Sequence, residues 1–204
     1  MTLRLPLFIA FEGIDGCGKS TLCARLHAHF LSNKLPSVLL REPTDGIWGR
    51  KIREMLKGPE LPDAAEQVRL FLMDREYDVE NNILPAIRHR RLVLMDRYFY
   101  SNAAYQGAGG IPPVSILEEN VRRGFPIPQR VYLLDLSPEA ALERISGRDT
   151  GTGNDLFEKQ EFLQRVRAHY LAMADERFSV MDGSADPESL FRAVRDDMER
   201  AFGA

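Results

Sequence analysis

The stretch GIDGCGKS, residues 13–20, decides the fold of this chain. It matches the pattern G-x-x-x-x-G-K-[ST], in which glycines let backbone N–H groups turn inward around phosphate oxygens at the start of a helix. In such a loop Lys19 reaches the β and γ phosphates of a nucleotide, and the Ser20 hydroxyl ligates Mg²⁺. The stretch directly follows an apolar run, LFIAF at 7–11, which is typical of a buried strand. The sequence therefore predicts a P-loop that binds a nucleoside triphosphate.

The whole loop and the first residues of the following helix are expected to surround the phosphates. The predicted phosphate-binding residues are Gly13, Ile14, Asp15, Gly16, Cys17, Gly18, Lys19, Ser20 and Thr21. The carboxylate of Asp15 is unexpected among groups that bind anions, so it calls for a role other than contact with the nucleotide phosphates.

Composition favours a single globular domain over residues 1–204. The formal net charge of −3 argues against a general nucleic-acid binder, which needs clustered cations. The N-terminal apolar run is too short to cross a membrane and has no cleavage site, so we expect a protein that is not exported. The two cysteines, Cys17 and Cys23, fit neither a disulfide framework nor a zinc site, which favours a reducing cytoplasm.

Short apolar runs alternate with longer segments of helical periodicity along the chain, which predicts an α/β fold with a parallel sheet. The predicted strands are 7–11, 37–40, 92–95, 131–136 and 178–181, and the predicted helices are 19–33, 48–57, 63–89, 114–123, 138–147, 157–176 and 187–201. The glycine-rich stretch SGRDTGTGND, residues 146–155, reads either as a lid loop that closes over the nucleotide or as a surface connection.

Two further groups of residues are candidates for chemistry. Asp96 ends a predicted buried strand, a position from which a carboxylate can meet the Mg²⁺ of a P-loop site, and Arg97 follows it. Phe71 and Arg75 lie four residues apart and share one face of a predicted helix. From these residues alone, Phe71 and Arg75 read as a core aromatic beside a surface cation.

Four stretches together resemble the thymidylate kinases of bacteria: FEGIDGCGKST at 11–21, REP at 41–43, DRYFYSNAAYQG at 96–107 and LLDLSPEAALER at 133–144. The resemblance spans most of the chain, and the DRYFYSNAAYQG block is its most specific part. It implies the nucleoside-monophosphate kinase kind of P-loop fold, a five-stranded parallel sheet flanked by helices. It also implies phosphoryl transfer from ATP to dTMP with Mg²⁺, and a homodimer.

The resemblance assigns roles to individual residues. It implies that Arg53 and Arg97 bind the acceptor phosphate, that Phe71 stacks on thymine, and that Asp15 meets the 3′-hydroxyl of the acceptor sugar. The full implied dTMP-binding set is Asp15, Arg53, Phe71, Arg75, Arg97, Asn102, Tyr105 and Gln106, in which Arg75, Asn102 and Gln106 read the base edge. Tyr105 would exclude a ribose 2′-hydroxyl by its bulk.

The chain departs from one branch of this family, in which an arginine follows the loop aspartate, because it has Gly16 there. In the branch that it resembles, the lid supplies the missing cation. This implies Arg148 as the lid arginine, with Arg144 as the reserve. The implied catalytic residues are then Lys19, Asp96, Arg97 and Arg148, with Ser20 and Asp96 as the metal ligands.

Three other functions remain open on the residues alone. A kinase for another nucleoside monophosphate would use the same kind of site. A deoxynucleoside kinase would need a general base for a sugar hydroxyl, a part that Glu12 could take, but it would leave Arg53 and Arg97 without an acceptor phosphate. A nucleotide-hydrolysing switch would turn over slowly and without any acceptor. The role of Glu12 is open between support of the metal site and structural hydrogen bonding.

Overall fold

The computed structural model describes residues 3–58, 60–146 and 153–203. Most of the expected lid, 146–155, and its candidate arginine Arg148 therefore lie outside the described residues. Within those ranges the chain forms a five-stranded sheet with helices packed on it, as expected from the alternation of apolar runs and helical periodicity.

The sheet is parallel throughout and has the strand order β2-β3-β1-β4-β5. Its strands are β1 (Leu7–Glu12), β2 (Ser37–Arg41), β3 (Leu92–Asp96), β4 (Arg130–Asp135) and β5 (Phe178–Asp182). Every residue of β1 and β3 is buried, which explains why these two strands read as continuous apolar runs. The strand order reverses on either side of β1, so the site is expected at the carboxyl ends of β1 and its neighbours.

Nine α-helices connect and cover the strands in the described ranges. They are α1 (Lys19–Ser32), α2 (Ile47–Lys57), α3 (Ala64–Asp78), α4 (Leu84–Arg88), α5 (Phe99–Ala108), α6 (Pro113–Arg122), α7 (Pro138–Ser146), α8 (Gly153–Ala172) and α9 (Pro187–Phe202). A π-helical turn, Val79–Ile83, joins α3 to α4. The helix predicted over 63–89 is therefore helical from Ala64 to Arg88 but changes its hydrogen-bonding register in the middle.

Helix α5 was not among the predicted helices. Its sequence, FYSNAAYQGA, contains aromatic residues, Ser, Asn and Gly, whose intrinsic helix propensity is modest. Most of its side chains are buried, including Phe99 and Tyr100, so tertiary packing stabilises the helix. The helix predicted over 157–176 runs instead from Gly153 to Ala172. Its C-terminal end comes earlier than predicted because Asp175 accepts a hydrogen bond from the backbone N–H of Arg177 (2.9 Å) and forms a turn before β5.

Two buried aspartates one turn apart on α3 have different environments. Asp74 accepts hydrogen bonds from the backbone N–H of Thr44 (2.8 Å) and from its hydroxyl (2.6 Å). Asp78 accepts one bond at Oδ1 from Asn82 (2.6 Å), whereas its Oδ2 has no partner among the described residues. Burial raises the pKa of Asp78 to about 6. The folded protein therefore binds the Asp78 proton more tightly than the unfolded chain does.

We expect Asp78→Asn to stabilise the protein at pH 8. Because the folded-state pKa of Asp78 is raised, the protonated carboxyl stabilises the folded protein relative to the ionised one. This stabilisation is complete below about pH 4 and is lost as the pH rises through about 6. The substitution removes this loss, so the free energy of unfolding at pH 8 should rise by about 1–3 kcal/mol. Urea unfolding at pH 4, 6 and 8 measures the effect.

Asp74→Asn is the matched control. This substitution weakens two satisfied hydrogen bonds to Thr44, so it should lower the free energy of unfolding at pH 8. A loss of stability in both variants would contradict the view that the ionised Asp78 carboxylate destabilises the folded protein at pH 8.

Candidate active site

The loop between β1 and α1 has the backbone geometry of a phosphate-binding loop. Gly13, Gly16 and Gly18 have φ values of 139°, 84° and 96°, a region that L-residues rarely adopt. A Cβ on Gly13 would lie 2.6 Å from the carbonyl oxygen of Leu134 on β4. Gly18 is also the N-cap of α1, so the loop ends on the free N–H groups of a helix N-terminus.

The Lys19 ammonium lies inside this loop and is almost completely buried. It donates hydrogen bonds to the carbonyl oxygens of Gly13 (3.0 Å) and Ile14 (2.9 Å), and it lies 3.4 Å from Cys17 Sγ. The side chains of Ile14 and Cys17 are buried, whereas Thr21 is exposed on the outer side of the loop. The loop therefore brings its backbone and Lys19 to one place, while several of its side chains belong to the core.

Ser20 and Asp96, the two predicted metal ligands, are in contact. The Ser20 hydroxyl donates to Asp96 Oδ2 at 2.5 Å, across the ends of α1 and β3. A hydroxyl and a carboxylate supply the hard oxygen ligands that Mg²⁺ prefers, and Mg²⁺ usually takes the remainder from water and nucleotide phosphates. No cluster of three or more His, Cys, Asp or Glu side chains suited to a metal occurs in the described ranges.

Arg97 follows Asp96 with a left-handed backbone, φ 68°, an uncommon conformation for a residue with a side chain. Its backbone N–H donates to Phe11 of β1 at 3.0 Å. Its side chain donates through Nη2 to Asp15 Oδ1 (2.7 Å) and through Nη1 to Ser101 (2.9 Å). Strained backbone of this kind persists where the surrounding structure fixes it, and it occurs often at functional sites.

Asp15 is held from two sides at the mouth of a cavity. Besides its ion pair with Arg97, it accepts a hydrogen bond from the Tyr105 hydroxyl at 3.0 Å. The Arg97 guanidinium holds the pKa of Asp15 below its ordinary value. The Arg97 guanidinium also lies 5.3 Å from the centre of the Tyr105 ring. The loop aspartate therefore faces the cavity that α5 helps to form, beside the predicted phosphate-binding loop.

That cavity has a volume of about 540 Å³ and runs from the P-loop to α3 and α5. All eight residues of the predicted dTMP-binding set line it, namely Asp15, Arg53, Phe71, Arg75, Arg97, Asn102, Tyr105 and Gln106. Ser20 and Asp96 lie at the same wall. A cavity of this size accommodates a nucleotide-sized ligand.

The far end of the cavity is formed by a buried polar network. Both oxygens of Glu42 accept from Arg75, through Nε (3.1 Å) and Nη2, and Asn120 accepts from Arg75 Nη1 at 2.8 Å. Arg75 is only 1% exposed, and its guanidinium lies 5.1 Å from the centre of the Tyr98 ring. The surface-cation reading of Arg75 is therefore wrong. Glu42 follows β2, Tyr98 follows β3 and Asn120 lies on α6, and together they enclose the side chain.

Asn102 and Gln106 lie beside this network. The Asn102 amide donates to Gln106 Oε1 (2.6 Å), and Gln106 donates to Gln67 Oε1 (3.0 Å). Asn102 Oδ1 is buried and has no hydrogen-bond partner among the described residues. A buried acceptor without a partner is costly, so this oxygen is suited to a donor group on a ligand.

Arg53 lies where α2 meets the loop after β2. Its Nη1 donates to the carbonyl oxygens of Pro43 (2.9 Å) and Thr44 (2.7 Å), and Nη2 pairs with Asp45 at 3.1 Å. Arg41, at the end of β2, also lines the cavity, although no role was predicted for it. The REP motif could have indicated that Arg41 lines the cavity, because this arginine ends a parallel strand and ligands bind at the carboxyl ends of such strands.

A second pocket, of about 300 Å³, opens on the other side of the P-loop. It is lined by Cys17, Gly18, Thr21, Leu22, Arg25, Arg144, Gly183, Ala185, Pro187 and Leu190. Arg144 points here and donates to the carbonyl oxygen of Gly183 at 2.9 Å. The sequence does not predict this pocket, because part of its wall comes from the loop between β5 and α9, which carries no recognisable motif.

Among the described residues, none of the helices has both the length and the apolar character needed to cross a membrane.

A family model described as "Thymidylate kinase" matches residues 11–194. A thymidylate kinase of Leptospira borgpetersenii is 37% identical over 202 residues, which cover 99% of this chain and 98% of that protein. A probable thymidylate kinase of Archaeoglobus fulgidus is 42% identical over 194 residues, 95% of each chain. A Xanthomonas euvesicatoria thymidylate kinase is 40% identical over 195 residues, 94% of this chain and 84% of that protein.

We expect Gly16→Ala to destabilise the protein more than Gly18→Ala does. Both glycines have positive φ, so either substitution costs about 1–3 kcal/mol of backbone strain. A Cβ at Gly16 would also lie 2.6 Å from the carbonyl oxygen of Ala141 on α7, whereas one at Gly18 meets nothing within 4 Å. Displacing α7 should cost about 1–3 kcal/mol more. Urea unfolding without nucleotide compares the two variants, and equal losses would contradict this close approach of α7.

Proposed function

The chain belongs to the thymidylate kinase family and transfers a phosphoryl group from ATP to dTMP, giving ADP and dTDP for dTTP synthesis; we propose that it does so with the residues at its P-loop and in the larger cavity. The observation that carries this proposal is the Asp15–Arg97–Tyr105 cluster, which joins the P-loop to that cavity. ATP would lie on the outer side of the loop, with its base in the smaller pocket near Arg144. The acceptor would occupy the larger cavity.

In this proposal the acceptor phosphate lies between Arg97 and Arg53, and thymine lies against Phe71. The buried oxygen of Asn102 would accept the N3–H of thymine, and the N–H groups of Arg75 not engaged by Glu42 or Asn120 would meet a base carbonyl. Gln106 would hold Asn102 in place. This arrangement recognises a pyrimidine by a pattern of donors and acceptors rather than by shape alone.

The attacking atom is a phosphate oxygen of dTMP, which is ionised at neutral pH, so the reaction needs no general base. Rate enhancement then depends on positioning and on neutralising charge. Lys19 would leave the carbonyls of Gly13 and Ile14 to meet the transferring phosphate. Arg97 would hold the acceptor oxygen in line with it. Asp15, released from Arg97, would accept the 3′-hydroxyl of the acceptor sugar.

We propose Ser20 and Asp96 as the protein ligands of Mg²⁺, on the basis of their contact. The ion supplies charge neutralisation on the β and γ phosphates when bound. Glu12 is fully buried and accepts from the Tyr98 N–H at 2.9 Å, which favours structural hydrogen bonding as its role over catalysis.

The assembly and location remain proposals. We propose a homodimer, supported by exposed apolar side chains on α2 and α3, namely Ile47 (65% exposed), Leu56 (49%) and Tyr77 (41%). We propose a cytoplasmic location, supported by two buried free cysteines. A single kinase domain over 1–204 with a lid at about 146–155 stays a prediction.

We expect Arg148→Ala to lower kcat by at least about a hundredfold and to leave the KM for dTMP nearly unchanged. The reason is that Gly16 stands where one branch of the family has an arginine, so a second cation beside Lys19 has to come from elsewhere, and an arginine that meets the transferring phosphoryl group acts mainly in the transition state. A coupled ADP-release assay measures both constants. Lysine at position 148 should restore activity only in part, because it lacks the planar fork.

Arg144→Ala is the control for this lid arginine. Arg144 lines the smaller pocket and donates to Gly183, so its loss should raise the KM for ATP more than it lowers kcat. A large loss of kcat at Arg144 with none at Arg148 would move the catalytic role one helical turn back. Wild-type turnover in both single variants and in the double variant would discard a lid arginine altogether.

We expect Tyr105→Ala to admit ribonucleotide acceptors and Tyr105→Phe to keep the preference for dTMP. The ring, which lies beside Asp15, would exclude a 2′-hydroxyl by bulk, and phenylalanine keeps that bulk. The ratio of kcat/KM for dTMP and its ribo analogue measures the preference. If both variants retain the wild-type ratio, Tyr105 has no part in sugar selection.

A further inference from the structure

A buried cluster of one carboxylate and two hydroxyls lies behind Arg97. Glu12 Oε2 accepts hydrogen bonds from the hydroxyls of Ser101 and Tyr170, the latter at 3.2 Å. The two hydroxyls are 2.7 Å apart. Arg97 Nη1 donates to Ser101 at 2.9 Å and to Tyr170 at 3.4 Å. Neither Glu12 nor Tyr170 lines the larger cavity, so any influence on a ligand there passes through Arg97 or Ser101.

We propose that Tyr170, together with Glu12, is a positioning residue that holds the Arg97 guanidinium toward the acceptor phosphate. The inference rests on the proposed role of Arg97 as the arginine that binds this phosphate. Tyr170, which lies on α8 and 73 positions after Arg97 in the chain, thereby joins the residues that determine acceptor binding.

The two terminal nitrogens of Arg97 face different surroundings, which is the first support. Nη1 donates inward, to Ser101, Tyr170 and the carbonyl oxygen of Gly13 (3.2 Å). Nη2 donates outward, to Asp15 at the cavity wall. Anchoring Nη1 in the interior fixes the plane of the guanidinium and presents its Nη2 side to the cavity.

Glu12 supports the backbone of Arg97 as well as its side chain. Its Oε1 accepts from the N–H of Tyr98, which belongs to the peptide group directly after the strained Arg97. Its Oε2 supports the two hydroxyls that contact the guanidinium. The Glu12 carboxylate therefore fixes both the backbone and the side chain of Arg97, which offsets the cost of the left-handed conformation of that arginine.

Hydrogen-bond donors and acceptors in the cluster are balanced only if Tyr170 keeps its hydroxyl proton. Arg97 Nη1 can only donate, so the Tyr170 oxygen accepts from it and donates its own proton to Glu12 or Ser101. Burial raises the pKa of the Tyr170 phenol well above its ordinary value, so this proton is retained at working pH. Phenylalanine at position 170 would remove both bonds while keeping the ring in the core.

The test compares the binding of dTMP and thymidine to Tyr170→Phe. If Tyr170 acts on the phosphate through Arg97, dTMP should bind about tenfold more weakly, the usual effect of losing a hydrogen bond to a charged group. Thymidine has no phosphate, so its affinity should change less than about twofold. Calorimetry for dTMP and competition for thymidine give the two constants. Unchanged dTMP affinity, or an equal loss for both ligands, would overturn the inference.

Tyr132→Phe is the matched control. It also removes a buried hydroxyl that donates to a carboxylate, Asp197 on α9 at 2.9 Å, but it lies away from the cavity. It should leave the affinities for dTMP and thymidine unchanged.

Should Tyr170→Phe not fold, Glu12→Gln perturbs the other end of the same cluster, and the same selective loss of dTMP affinity is expected.

A double-mutant cycle with Arg97→Ala separates this inference from the function on which it rests. In the Arg97→Ala background, Tyr170→Phe should cause no further loss of dTMP affinity, because its effect passes through that arginine. The same loss in both backgrounds would show a merely structural role and overturn the inference. If Arg97→Ala alone leaves dTMP affinity intact, then the proposed role of Arg97 fails as well.

Discussion

The parallel pairing of β1 with β3 is the constraint on which the site depends. In this pairing Phe11 lies opposite Asp96, so the two strands end at the same level. The residues that follow them, the P-loop and Arg97, are therefore neighbours although more than eighty positions separate Gly13 from Arg97. The backbone bond from Arg97 to Phe11 continues the sheet by one residue and fixes the arginine against the loop. A shift of one residue in this register would direct Asp96 away from Ser20.

The two cations beside the P-loop, Lys19 and Arg97, have hydrogen-bond partners within the protein itself. The P-loop collects N–H groups and Lys19 for anions, yet Lys19 is satisfied by loop carbonyls and Arg97 by Asp15. In the proposed mechanism nucleotide phosphates replace these partners. Since a buried cation without a partner is costly, these internal bonds keep the site stable before substrates bind. They also explain why an acidic residue is compatible with a loop that binds anions.

Much of the fold and part of the site followed from the sequence, for physical reasons that differ between residues. Strands β1 and β3 were recognisable because fully buried parallel strands are continuous apolar runs. The P-loop pattern and a strand end pointed to Ser20 and Asp96, which are in contact. Helix α5 was missed because packing rather than propensity stabilises it. The enclosure of Arg75 was missed because its partners, Glu42 and Asn120, are 33 and 45 positions away in the chain. Contacts over such distances leave no periodic signal in a single sequence.

The close approach of α7 to Gly16 limits how this enzyme can change over evolutionary time. The position that carries an arginine in one branch of the family has no room for any side chain here, because the Ala141 carbonyl occupies that space. A lineage with this packing cannot move its missing cation into the P-loop by one substitution, because α7 would first have to shift. Any intermediate would lose stability before it gained a useful charge. The packing of α7 against Gly16 thus restricts which substitutions the P-loop can accept without loss of stability.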